Sequence, residues 1–236
     1  EIMRGASARA REPGFKLEEF VVGRGGLPLP QLDSILQSRG INGLLLLPSW
    51  VAPDYSALDW SRYAGAYTDY NQSKPDLHTF TGDHHRSMML TLELLRAKGY
   101  RRPGIVIESG RNERLDRRHS SAFQAFAEDD GANSPPVPPL TPPELSQSLF
   151  NQWFRRHKPD VVLCHSTEIL DWMEACGAQI PAKHGFVSLN LSYKTRPCAG
   201  LDLQPDQIGA RCIEFVIAQL HRNERGVPTS PTRPTI

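Results

Sequence analysis

Apolar residues recur along this chain in two alternating patterns. Leu29, Leu32, Ile35 and Leu36 share a helical spacing, as do Met88, Leu92 and Leu95. Between such stretches lie short unbroken apolar runs, such as "INGLLLLPS" and "PDVVLCHS". The first pattern puts its residues on one face of a helix; the second suits a strand buried on both faces of a parallel sheet.

Read in this way, "EIMRGASARAREPGF" is the end of a helix stopped at Gly14, and "FKLEEFVV" (15–22) is a strand. After a Gly/Pro loop, "PLPQLDSILQSRG" is a helix and "INGLLLLPS" a buried strand. "YAGAYTDY" and "LHTF" are short strands, and "DHHRSMMLTLELLRAKGY" is a helix closed by Gly99. The alternation continues with "PGIVIESG", "RRHSSAFQAFAEDD", a Pro-rich surface loop, "ELSQSLFNQWFRRHK", "PDVVLCHS", "TEILDWMEACG", "HGFVSLN" and "CAGLDL". A long helix, "PDQIGARCIEFVIAQLHRNERG", uses Ile208, Cys212, Phe215, Ile217 and Leu220, and a Pro-rich tail follows. Strand–helix units of roughly 25–30 residues imply an α/β fold with doubly wound parallel sheet. Ligands on such sheets bind at the carboxyl ends of the strands.

Charge and composition narrow the function. The 236 residues include 27 Lys+Arg and 26 Asp+Glu, a net charge of +1. A dedicated nucleic-acid binder carries a basic excess, so this chain is not expected to hold DNA by itself, despite the cluster "ERLDRRH" at 113–119. The longest apolar run, Leu44–Leu47, is far short of the ~18 residues of a membrane span. No signal peptide is visible at the start. Cys164, Cys176, Cys198 and Cys212 are widely spaced without a C-x-x-C, which reads as reduced thiols in a cytoplasmic protein.

The chemistry of catalysis is not offered. There is no G-x-S-x-G elbow, P-loop or G-x-G-x-x-G, and "GRGG" (23–26) runs into Leu-Pro as a plain loop. His84 and His85, adjacent on a helix, point in different directions and make poor joint metal ligands. Cys164–His165 follows a strand but has no evident base and orienting partner. We therefore expect no enzyme, no cofactor, no metal and no catalytic residue.

Six segments in one order resemble the effector domain of the LacI/GalR family of bacterial transcription regulators: "INGLLLLP", "LELLRAKGYRRPGIVIESG", "RRHSSAFQAF", "KPDVVLCHSTEIL", "QIPAKHGFVSLNLS" and "GLDLQPDQIGARCIEFVIAQLHRNERGVP". Periplasmic sugar-binding proteins share that fold. The resemblance implies two doubly wound parallel-sheet subdomains of the periplasmic binding protein type I-like kind. Strands crossing near Thr81–Asp83, Leu201–Leu203 and Thr229 join them, and an effector lies in the cleft between. The N-terminal subdomain is then 1–81 with 203–228, and the C-terminal subdomain 82–202 with 229–236. It implies a homodimer, and operator DNA bound through a helix-turn-helix headpiece absent from this chain. It also places a first sheet strand ahead of Glu1.

The same resemblance nominates site residues. The family's effector arginine, four residues before the aromatic at Phe123, falls on His119, with Arg118 beside it. Either can hold a ligand near the helix start; the other reading is a solvated arginine and a histidine packed locally. The family's sugar-gripping aspartate falls on Thr167, which is equally a helix cap, and another falls on Asn190. Asp69 lies at an acidic effector position between Tyr67 and Tyr70, and Trp50 follows "LLLLPS". Asp202, at the second crossing, can supply the carboxylate lost at Thr167. The expected function is the effector-binding and dimerisation core of a regulator that senses a sugar or derivative. The alternative is a periplasmic sugar-binding protein of an ABC transporter.

Overall fold

The computed structural model describes residues 1–23, 25–49, 53–69, 74–129 and 135–236. Along the chain these form α1 (Ile2–Arg11), α2 (Leu29–Ser38), β1 (Gly43–Leu46), β2 (Ala64–Tyr67), β3 (His78–Thr79) and α3 (His84–Ala97). There follow β4 (Pro103–Val106), α4 (Ser109–Arg114), α5 (Arg118–Asp129), α6 (Gln147–His157) and β5 (Val161–Cys164). The last elements are α7 (Ile169–Ala175), β6 (Gly185–Ser188), β7 (Ala199–Gly200) and α8 (Pro205–His221).

The chain divides into two units, one formed by Glu1–Gly82 with Gln204–Ile236 and the other by Asp83–Leu203. In the first, β1, β2 and β3 lie side by side, all parallel, with Leu44 opposite Gly65 and Ala66 opposite His78. The helices that flank them follow from local rules. α2 opens on Pro28 and Pro30 and ends at Gly40, whose φ of +64° turns the chain back. α1 packs along α8 through residues without bulk: a Cβ added at Gly5 would lie 2.0 Å from the Asp206 carbonyl oxygen, and one at Gly209 2.0 Å from that of Ile2. Ala64, Ala66, Ile213 and Val216 build one core, and Leu32, Leu36, Trp60, Tyr63 and Leu77 another.

Two expectations for this unit need correction. Residues 15–22 are not a strand; only Val22 forms a bridge, to Leu27. A strand requires a hydrogen-bonded neighbour, and among the described residues the backbone of Lys16–Phe20 makes no backbone hydrogen bond. The tail at 229–236, expected in the C-terminal subdomain, belongs to this unit. Thr79 N–H donates to the Thr232 carbonyl at 2.9 Å, Thr81 bridges Thr235, and Ile236 N–H donates to the Thr81 carbonyl at 2.9 Å. The tail thus runs along the exposed side of β3.

In the second unit the order is β4-β5-β6-β7, again all parallel. Alternate residues serve opposite faces. Ile105, Leu163 and Val187 meet Met88, Leu92 and Phe123 on one side. Val106, Val162, Cys164 and Phe186 meet Phe150, Trp153 and Met173 on the other. Asp83 caps α3 by accepting from Arg86 N–H, and Ser146 caps α6. The Asp160 carboxylate accepts from the Arg101 and Arg102 N–H groups, tying the starts of β4 and β5 together. The Pro-rich loop is more than a surface excursion: Leu140 pairs with β4 through Ile105 and Ile107, and Pro138 accepts from the Trp153 indole. All four cysteines are free thiols.

Candidate functional site

The carboxyl ends of the four parallel strands in the second unit carry the chemistry. After β4 the chain turns through Glu108 into α4, a short helix not read from the sequence. It then passes Asp116 and Arg117, both left-handed at φ of 54° and 55°, before α5 begins at Arg118. Two consecutive non-glycine residues in that region store strain, a feature that clusters at functional positions. After β5 come His165, Ser166 and Thr167, and after β6 come Leu189 and Asn190.

Three imidazoles meet here. His84 opens α3, His119 is the second residue of α5, and His165 follows β5. Their ring centroids are 4.9 Å apart for His84–His119 and 5.3 Å for His119–His165, both edge to face. All three are buried, His119 completely. Neither nitrogen of His119 has a hydrogen-bond partner among the described residues. Burial drives each ring towards its neutral form. It lowers His84 to about 4, assisted by the Arg118 charge, and His119 to about 3, assisted by His84. His165 is pushed well below its ordinary value by burial, then by His119 and Arg111. Burial also raises the adjacent Cys164 thiol to about 12, so it is not a thiolate nucleophile at neutral pH.

Around the row are polar groups with more freedom. Arg118 lies 3.6 Å from Asp116, with 35% of its side chain exposed. Since His119 is enclosed, Arg118 is the accessible cation of the pair. Arg111 reaches over the Tyr193 ring at 5.8 Å, and burial lowers its pKa. Thr167 is buried; its hydroxyl lies 2.6 Å from that of Thr195 and accepts the Thr195 N–H, so it pins the 191–195 turn. Asn190 caps that turn by accepting from Ser192 N–H. Asp202 is exposed just beyond β7.

The structure thus brings Arg118, His119 and Thr167 to one edge of one sheet. Asp69 stands elsewhere, half-buried beyond the end of β2 in the first unit. Trp50 and Tyr70 lie outside the described residues. His84, His165 and Arg111 were missed as neighbours of His119. A signal existed for the first two, since each stands at a strand end or helix start, but their proximity required the fold. His85 is exposed, so the adjacent histidines do point apart. Among the described residues no group of three His, Cys, Asp or Glu side chains is arranged to hold a metal ion.

Open parallel sheets of this kind bind small molecules, where they do, at the carboxyl ends of their strands. The model of the periplasmic binding protein-like domain family matches residues 92–236, and the chain belongs to that family. No curated protein matches the chain in sequence. Solved structures share the fold along the whole chain. The transcription regulator CcpA of Lactococcus lactis aligns at TM-score 0.71 and 12% identity, over 99% of this chain and 89% of that one. A LacI family transcriptional regulator from Enterococcus faecalis V583, with bound ribose, aligns at 0.69 and 12%, over 100% and 88%. The transcriptional regulator CelR, in complex with cellobiose, aligns at 0.71 and 17%, over 100% and 75%. Among the described residues no helix is long and apolar enough to cross a membrane.

Proposed function

We propose that this chain is the effector-binding and dimerisation core of a LacI-type, cytoplasmic transcription regulator that senses a sugar or sugar derivative. The observation carrying the reading is the strand-end edge of the second unit. There Arg118 remains accessible beside a wall of neutral imidazoles, on a fold shared with regulators solved with ribose and cellobiose. Arg118 donates to ligand oxygens in place of the buried His119, and Thr167 holds the Thr195 turn in position. Asp202, in the same unit, supplies a carboxylate for hydroxyl groups; Asp69, in the first unit, is a separate candidate. Ligand binding shifts a conformational equilibrium that sets the pairing of two DNA-binding headpieces. The function is recognition, not catalysis.

A thermal-shift screen against sugars, sugar phosphates and nucleobases tests this, because a ligand that binds the native state raises its melting temperature. One chemical class is expected to stabilise the protein. Arg118→Ala is expected to abolish that shift while leaving the ligand-free melting temperature unchanged. Equal shifts in both proteins would remove Arg118 from the site, and no shift with any compound would remove the sensing role.

A further inference from the structure

The turn that follows β6 is held by side chains at both ends. Asn190 opens it, accepting from Ser192 N–H at 2.9 Å, and the Ser188 hydroxyl donates to the Asn190 carbonyl at 3.0 Å. Leu191 N–H donates to the Leu201 carbonyl at 3.0 Å, which ties the turn to the stretch after β7. At the far end, Thr195 N–H donates to the buried Thr167 hydroxyl at 3.2 Å. Arg196 then lies between two carboxylates of α7, 2.6 Å from Asp171 and 3.1 Å from Glu174. With both ends fastened, the tip at 192–194 has little freedom left.

That tip presents one large ring. Tyr193 is 51% exposed, and among the described residues no other Phe, Tyr or Trp is exposed. A lone apolar side chain in water is ordinary, but the surroundings of this one are not. The half-buried Arg111 holds its guanidinium 5.8 Å from the centre of the Tyr193 ring. Arg111 comes from α4, after β4, whereas Tyr193 follows β6, and β5 lies between those two strands in the sheet. The pair therefore spans the carboxyl end of β5, where the Arg111 charge reaches Cys164 and His165. Ligands of parallel sheets bind at such strand ends.

We infer that Tyr193 is the stacking platform of the effector site, that it takes the C–H face of a saccharide ring, and that Arg111 donates to the oxygens of the same sugar. The inference rests on the sensing role proposed above and gives it a residue and a ligand face. The face of a tyrosine ring is negative, and the C–H groups on one side of a sugar ring meet it with the opposite polarity. A nucleobase is gripped between two aromatic or apolar side chains, and the described residues of this edge offer a single exposed ring. A sugar needs only one, because its hydroxyls project from the rim, where a guanidinium can supply several N–H donors. The fastened turn sets the ring in place before the ligand arrives, so little ordering is left for binding to oppose.

Titration calorimetry of the protein with mono- and disaccharides, D-glucose, D-ribose and cellobiose among them, and with nucleobases tests the inference. Tyr193→Ala and Tyr193→Phe are measured beside the parent. For a sugar that binds the parent, Tyr193→Ala is expected to weaken affinity about tenfold and Tyr193→Phe to retain it. Both variants are expected to melt, without ligand, at the temperature of the parent. Equal affinity in the parent and Tyr193→Ala would overturn the platform and leave the sensing role standing. A loss in Tyr193→Phe as large as in Tyr193→Ala would overturn it too, since the hydroxyl and not the ring would then make the contact. Binding of a nucleobase and of no sugar would overturn the ligand class. Binding of nothing by the parent would remove the platform and the sensing role together.

Discussion

His119 takes the place where the resemblance puts a cationic arginine, and it is neutral, enclosed and without a hydrogen-bond partner among the described residues. Its consequence for stability has a definite sign. In the unfolded chain a histidine titrates near its ordinary value of about 6.5. In the folded protein His84 titrates at about 4 and His119 at about 3. Across that window the unfolded chain binds more protons, so stability is present above pH 6.5 and is lost as pH falls towards the folded values. Each ring is expected to cost up to about 2 kcal/mol at pH 5 relative to pH 7. Urea unfolding at the two pH values measures it. His119→Leu is expected to shrink the difference by about one ring's share. It is also expected to leave stability at pH 7 unchanged or raised, because an unpaired buried polar group is removed. An unaltered pH dependence would show that His119 titrates normally.

At the scale of elements, periodicity revealed what is locally determined. The apolar faces of α3 and α8, the caps at Asp83 and Ser146, and the unbroken run of β5 follow from residue type and spacing. What escaped depends on partners distant in sequence. Residues 15–22 have the composition of a strand, but among the described residues only Val22 finds a bridge partner. Conversely, the proline-rich tail, expected in the C-terminal subdomain, takes its place from Thr79 and Thr81, which supply an edge for it. The histidine row joins positions 84, 119 and 165, which no motif links. The close contact of α1 and α8 is a further case, since glycines in helices look unfavourable until the second helix is in place. Gly209→Ala would push a methyl group to 2.0 Å from the Ile2 carbonyl oxygen. The backbones would have to part, at an expected loss of roughly 2 kcal/mol. Chemical denaturation of the variant measures this, and a stability equal to that of the parent would show that the helices cross more loosely.

For the whole molecule, the regulator reading carries an assembly state. A dimer is expected in sedimentation equilibrium of the native protein at micromolar concentration. A monomer throughout that range would favour the transport reading, in which a solute-binding protein works singly. On that regulator reading, the near balance of 27 basic and 26 acidic side chains leaves DNA affinity to headpieces and not to this chain.

The split of the chain into one continuous unit and one discontinuous unit also fixes an order of events during synthesis. Residues 83–203 leave the ribosome as a complete set and can fold at once. The earlier residues cannot: Arg4 and its partner Asp206 are 202 positions apart, and among the described residues β3 obtains its outer neighbour from residues 232–236. Folding therefore reverses the usual N-terminal-first sequence. Until α8 has been made, the faces of α1 and of Leu45 that it covers stay open to water.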